Sequence, residues 1–230
     1  MARQHGHGVT APAERARLGR RAQLLAATSV AYNVLEAVIA IAAGMVAGSI
    51  ALIGFGLDSM VEVSSGLIIL WQFRRHLPEQ REKQALRLMA LAFFALAAFV
   101  GVESARALAL PGVEPQPSTV GIVLACVSLA LMPFLSWAQR RTGRALGSQA
   151  VVADGTQTLL CTYLSGVLLL GLVANATLGW SWADAVAGLV IAAVAVREGL
   201  EAWRGETCTC AVAETSAGQP TAEHTAAAAD

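Results

Sequence analysis

Charged side chains are scarce in this sequence, and their scarcity argues against a soluble domain. Of the 230 residues, 14% are charged and 56% are hydrophobic, whereas a soluble domain carries about 25% charged residues. There is also no excess charge of either sign, since lysine plus arginine and aspartate plus glutamate number 16 each. A nucleic-acid partner is therefore not expected.

Long apolar runs take the place of charge. Each run is about 20 residues long, which is enough for a helix to cross a bilayer. They lie at roughly 23–44, 50–72, 86–109, 119–138, 149–173 and 182–203. The sequence therefore predicts an all-α membrane protein, a six-transmembrane-helix bundle over residues 22–204 that packs its helices against one another in lipid.

Basic residues alternate between the predicted loops and set the orientation. They precede the first span, cluster between spans two and three and between spans four and five, and follow span six, whereas Arg106 alone lies near the other side. Basic loops stay in the cytoplasm. Both termini are therefore predicted to be cytoplasmic, in a multi-pass protein of the plasma membrane.

The two ends differ in composition from the spans. Residues 1–21 are predicted to form a basic cytoplasmic leader. Residues 205–230 hold no lysine or arginine and are rich in alanine, threonine and glutamate, which predicts a disordered cytoplasmic tail. Cys208 and Cys210 fall in that tail, and Cys126 and Cys161 fall inside spans, so no disulfide framework is expected.

Two carboxylates interrupt the second span. Asp58 and Glu62 lie four residues apart in "GFGLDSMVEVSSG", and this spacing places them on one face of a helix. Each ionisable group at mid-bilayer costs about 2.5–3.5 kcal/mol on insertion scales. The two negative charges also repel each other unless a cation lies between them. The pair therefore indicates a functional site rather than a plain membrane span.

The fifth span carries a matching polar stripe. Asp154, Gln157 and Cys161 follow i, i+3, i+7 spacing and share one helix face. Facing Asp58 and Glu62, they would supply oxygen and sulfur ligands to one metal ion. Each also has a structural alternative. Gln157 would form an interhelical hydrogen bond, Cys161 would be a small buried apolar residue, and Asp154 would lie at a helix start, where the dipole tolerates a carboxylate.

Other polar residues in the spans leave two interpretations open. Asn33 and Glu36 share a face of span one. They would act either as a proton relay or as a helix-packing contact. For Asp184, at the start of span six, the sequence favours a helix-terminal role over metal ligation.

Three stretches resemble the cation diffusion facilitator family, six-helix exporters that exchange divalent metal for protons. "AGSIALIGFGLDSMVEVSSG" (47–66) resembles the family's second helix, with its two ligands at Asp58 and Glu62. "LGSQAVVADGTQTLLCTYLSGVLLLGL" (146–172) resembles the fifth helix, and "GWSWADAVAGLVIA" (179–192) the start of the sixth. The resemblance implies a metal site between the second and fifth spans.

The chain departs from the family pattern at two ligand positions. Histidine or aspartate, followed by aspartate, is usual where Gln157 and Cys161 stand here. A thiolate favours zinc-like ions over magnesium or calcium, and Gln157 cannot take up a proton. Family members usually continue into a cytoplasmic domain that dimerises. The chain stops before such a domain, so a homodimer, if one forms, is expected to use the transmembrane helices.

The leading hypothesis is a proton-coupled exporter of a divalent metal cation. A zinc-like ion is the transported substrate, with no permanently bound cofactor, and protons and the lipid bilayer are the other partners. The alternative is a non-transporting membrane subunit or regulator on the same scaffold. An intramembrane enzyme that uses Asp58 and Asp154 as a carboxylate dyad is the least favoured hypothesis, because the motif spacing does not fit, so no enzymatic activity is expected.

Overall fold

The computed structural model describes residues 12–72, 79–110 and 114–204. Within these ranges it contains six helices and no strand. The helices are α1 (Pro12–Ala47), α2 (Ile50–Gln72), α3 (Glu79–Ala109), α4 (Thr119–Leu146), α5 (Gln149–Leu178) and α6 (Ser181–Arg204). Four described segments are long and apolar enough to cross a membrane, namely Ala16–Ala47, Arg87–Ala109, Thr119–Leu146 and Asp154–Leu178. The predicted all-α membrane bundle is confirmed.

Several helices extend beyond the predicted spans, with α3 beginning at Glu79 and α5 ending at Leu178. α1 begins at Pro12, so the last ten residues of the predicted leader are helical, and their arginines and alanines are good helix formers. α4 continues to Leu146 through most of the predicted loop at 139–148, and it ends at Gly147, whose φ of 69° suits glycine. The first 11 residues of the leader and the predicted tail at 205–230, with Cys208 and Cys210, lie outside the described residues.

α2 occupies the centre of the bundle. It contacts α1, α3, α5 and α6, while the most extensive helix pairs are α4 with α5, α1 with α2, and α3 with α6. Phe55 and Leu52 of α2 are fully buried in an apolar cluster that also holds Met132 and Leu168. Outward-facing side chains such as Phe134 are exposed, as expected for a surface that lipid covers.

Two glycines of α2 allow its neighbours to approach from different sides, just before Asp58. A Cβ atom on Gly56 would lie 2.8 Å from Cγ1 of Ile41 in α1, and one on Gly54 would lie 2.9 Å from Cγ2 of Val100 in α3. Larger residues would push these helices apart. The "GFGLD" sequence therefore sets the close packing that encloses the carboxylates.

Asp184 of α6 anchors the start of α2. Its Oδ1 atom accepts a hydrogen bond from Ser49 Oγ at 2.5 Å, and Oδ2 accepts from the backbone N–H groups of Ile50 at 2.9 Å and Ala51 at 3.4 Å. A carboxylate at a helix N-terminus satisfies free N–H groups and complements the helix dipole. The helix-terminal role favoured by the sequence is what the structure shows, but the helix that Asp184 caps is α2.

Candidate metal site

Asp58 and Glu62 of α2 lie beside Cys161 of α5. One ligand atom from each residue lies within 4.8 Å of the other two. All three residues are buried, with Asp58 and Glu62 each 6% exposed and Cys161 1% exposed. Two carboxylate oxygens and one sulfur thus converge between two helices inside the bundle, where burying charge without a partner is costly.

The spacing of these three atoms is close to that of a metal site. Zinc binds sulfur at about 2.3 Å and carboxylate oxygen at about 2.0–2.2 Å, so tetrahedral ligand atoms lie about 3.4–3.6 Å apart. The separations of up to 4.8 Å exceed that value by about 1 Å. Carboxylate oxygen and thiolate sulfur are both ligand types that zinc accepts.

A hydrogen bond from α1 orients Glu62. Asn33 of α1 donates from Nδ2 to Glu62 Oε2 at 2.8 Å. The Cys161 sulfur lies within 4.8 Å of a Glu62 carboxylate oxygen. Asn33 is 2% exposed, and its Oδ1 atom has no hydrogen-bond partner among the described residues. α1 therefore supplies an amide that positions one of the carboxylates.

Another buried carboxylate, that of Glu36, lies one turn after Asn33 along α1. Its Oε2 atom accepts a hydrogen bond from Ser59 Oγ at 2.8 Å, and its Oε1 atom accepts from Ser128 Oγ of α4. Tyr32 Oη and Ser128 Oγ are hydrogen-bonded at 2.7 Å. Glu36 thus joins α1, α2 and α4. This contact network fits the packing interpretation of the sequence, and the relay interpretation stays a prediction.

Asp154 and Gln157 stand apart from the three-residue cluster in the contacts they make. Asp154 is 8% exposed, and its Oδ2 atom accepts a hydrogen bond from Gln139 Nε2 of α4 at 2.6 Å. It is not one of the three residues whose ligand atoms converge. Gln157 is half-buried, one turn before Cys161. That both residues ligate metal stays a prediction.

Sequence reasoning missed several residues around the site. Gln139 follows the predicted fourth span, yet it lies in α4, is 1% exposed and donates a hydrogen bond to Asp154. Ser59 and Ser128 bind Glu36. The Oε1 atom of Glu198 in α6 is buried without a hydrogen-bond partner among the described residues. The available signal was weak, since one polar residue in an apolar helix rarely reveals its partner.

Comparison with known proteins identifies the family. The cation efflux transmembrane domain matches residues 88–204, just over half of the chain. The protein therefore belongs to the cation efflux family, and its function at that level is cation transport across a membrane. The match begins in α3 and includes the whole of α5 with Cys161, whereas α2 precedes it. No curated protein matches the chain.

Proposed function

We propose that the protein is a proton-coupled exporter of a zinc-like divalent cation, which binds between α2 and α5. The observation that carries the proposal is the convergence of Asp58, Glu62 and Cys161 within 4.8 Å. Family membership supports cation transport, and these three donors supply a buried place for the cation to bind. Binding near mid-membrane at the interface of two helices is typical of transporters that alternate access around a fixed site.

The sulfur atom favours a thiophilic ion. Zinc and cadmium accept thiolate ligands, whereas magnesium, calcium and manganese prefer oxygen. We propose that Gln157, one turn from Cys161, supplies a fourth ligand through its amide oxygen. Asp154, held by Gln139, would receive the ion from the cytoplasmic side. Both roles rest on the spacing along α5 and on the predicted orientation.

Proton exchange follows from the donors themselves. The Cys161 sulfur and a Glu62 carboxylate oxygen lie within 4.8 Å of each other, and a thiol carries a proton until it binds metal. A metal ion bound to both atoms must displace that proton, because the metal binds the thiolate. Protons arriving from outside would in turn displace the metal, and the carboxylates of Asp58 and Glu62 would carry them inward. We propose the plasma membrane as the location of this exchange.

A non-transporting subunit or regulator on the same scaffold is the second candidate. The unusual residues at 157 and 161 favour it, since neither is the histidine or aspartate usual in the family. An exporter would carry metal across the membrane, whereas a regulator could bind metal without carrying it. A homodimer formed through the transmembrane helices is compatible with either.

Zinc uptake into inverted vesicles, driven by an imposed proton gradient, tests the proposal. We expect wild-type protein to accumulate zinc. The uptake rate of Asp58→Asn should be at least about tenfold lower, because one carboxylate ligand is removed. Glu103→Gln is the matched control, since this carboxylate pairs with Arg106 at the exposed outer end of α3. Zinc binding without uptake would favour the regulator, and a loss in the Glu103 variant equal to that in the Asp58 variant would contradict the proposed site.

A further inference from the structure

A groove near the C-terminal end of α4 is lined by three arginines, Arg140, Arg141 and Arg144. Its volume is about 490 Å³, within the range of about 300–1,000 Å³ typical of ligand sites. No carboxylate is among the described residues that line it. Within the described part of the chain, none of the three guanidinium groups forms a salt bridge. The groove thus carries three positive charges that no acidic side chain there neutralises.

The other end of the groove is apolar. Pro133 and Trp137 of α4 and Leu159 of α5 line it. From Pro133 to Arg144 the helix rises about 16 Å, so the groove joins a basic end to an apolar end along the direction of the helix. Trp137 is 58% exposed, and the Arg141 guanidinium carbon lies 5.2 Å from its ring centroid. An exposed tryptophan beside arginines is typical of the membrane interface.

Close packing against α5 fixes the walls of the groove. Ser136 Oγ donates a hydrogen bond to the carbonyl oxygen of Gly155 at 2.5 Å. A Cβ atom on Gly155 would lie 2.8 Å from Cγ of Arg140 and 3.0 Å from its backbone nitrogen. α4 therefore contacts the backbone of α5 here, and Arg140 is half-buried. The basic end therefore lies where two helices pack together, with Arg140 half-buried and Arg141 and Arg144 exposed.

We propose that this groove binds an anionic phospholipid of the cytoplasmic leaflet, with its phosphate on the three arginines and an acyl chain along Pro133 and Leu159. Guanidinium groups bind phosphate oxygens through paired, charge-assisted hydrogen bonds. Anionic lipids are enriched in the cytoplasmic leaflet, where the distribution of basic residues places this end of α4. The apolar wall favours a lipid over a soluble phosphate. The site shares none of its lining residues with the candidate metal site.

Native mass spectrometry of the purified protein in neutral detergent, titrated with phosphatidylglycerol or phosphatidylcholine, tests this assignment. We expect wild-type protein to retain phosphatidylglycerol preferentially. The variant Arg140→Gln, Arg141→Gln, Arg144→Gln should bind it at least about tenfold more weakly, since each basic residue near an anionic lipid contributes a factor of about five. The matched control is Arg17→Gln, Arg20→Gln, Arg21→Gln, which removes three exposed arginines from the same predicted side of α1 and should lose less than about threefold.

Three results would overturn the proposal. Equal weakening in both triple variants would show attraction by general surface charge. If the wild type bound phosphatidylcholine as tightly as phosphatidylglycerol, the negative charge of the lipid would play no part in binding. Displacement of the lipid by free glycerol phosphate at a similar concentration would show that the apolar wall contributes nothing.

If the triple variant does not remain monodisperse, Arg141→Gln and Arg144→Gln are measured singly, because both side chains are exposed. Each is expected to weaken binding about fivefold, and wild-type affinity in both would overturn the proposal.

Discussion

Asn33 of α1 donates a hydrogen bond to Glu62 of α2, with Nδ2 and Oε2 2.8 Å apart. This contact ties the first helix to a site whose converging ligand atoms belong to α2 and α5. A side chain that holds a ligand in place affects metal affinity without touching the metal. Asn33 is therefore expected to influence the site from a helix that supplies none of the three converging ligands.

Replacement of Asn33 by leucine should weaken zinc binding about 10- to 100-fold, the range typical of residues that orient a metal ligand. Isothermal titration calorimetry of the purified protein measures the affinity. Asn175→Leu is the matched control, because Asn175 is also buried but donates its hydrogen bond to the carbonyl oxygen of Pro115, in the segment before α4. Unchanged zinc affinity in Asn33→Leu would show that the contact with Glu62 is dispensable.

Replacement of Cys161 by serine should separate soft from hard ions. We expect affinity for zinc and cadmium to fall by more than that for manganese, because a hydroxyl oxygen suits the harder ion. Cys161→Asp should at least preserve transport, since it restores the acidic ligand usual in the family. Cys126→Ser, at an exposed thiol, serves as the control and should change neither affinity. Equal losses for zinc and manganese in Cys161→Ser would remove sulfur from the ligand set.

Zinc binding should weaken as pH falls. Protons and metal compete for the Cys161 thiol and the two carboxylates, so binding releases protons and a higher proton concentration opposes it. Calorimetry in buffers of different ionisation enthalpy measures the number of protons released. We expect Asp58→Asn to release fewer protons than wild type. A zinc affinity that stays constant between pH 8 and about pH 6 would contradict the exchange mechanism.

Removal of the Asp184 carboxylate should destabilise the bundle while leaving the metal ligands intact. Asp184→Ala leaves the N-terminus of α2 and Ser49 without their acceptor, and losing a buried hydrogen bond to a charged group costs about 1.5–3 kcal/mol. Thermal unfolding in detergent should show a lower Tm than wild type. Asp184→Asn keeps one acceptor oxygen and should lose less. A Tm equal to that of wild type in Asp184→Ala would show that this cap contributes little.

The sequence was sufficient to predict the six helices and to place Asp58, Glu62 and Cys161 on inward-facing positions, because apolar run length and the helical period both follow from local spacing. It could not pair Asn33 with Glu62 or Gln139 with Asp154. Those pairs depend on how far each helix is rotated about its own axis, which depends on packing contacts such as those at Gly56 and Gly155. The sequence does not predict the extension of α4 past residue 138, because charged residues there indicate a loop.

X-ray absorption spectroscopy at the zinc edge, on purified protein loaded with one equivalent of zinc, tests the central claim most directly. If zinc binds between α2 and α5 at Asp58, Glu62 and Cys161, the spectrum should show one sulfur ligand at about 2.3 Å and oxygen or nitrogen ligands at about 2.0–2.2 Å. The sulfur shell should disappear in Cys161→Ser and remain in Cys126→Ser. A wild-type spectrum with only oxygen and nitrogen ligands, or a sulfur shell that survives in Cys161→Ser, would contradict the proposed site.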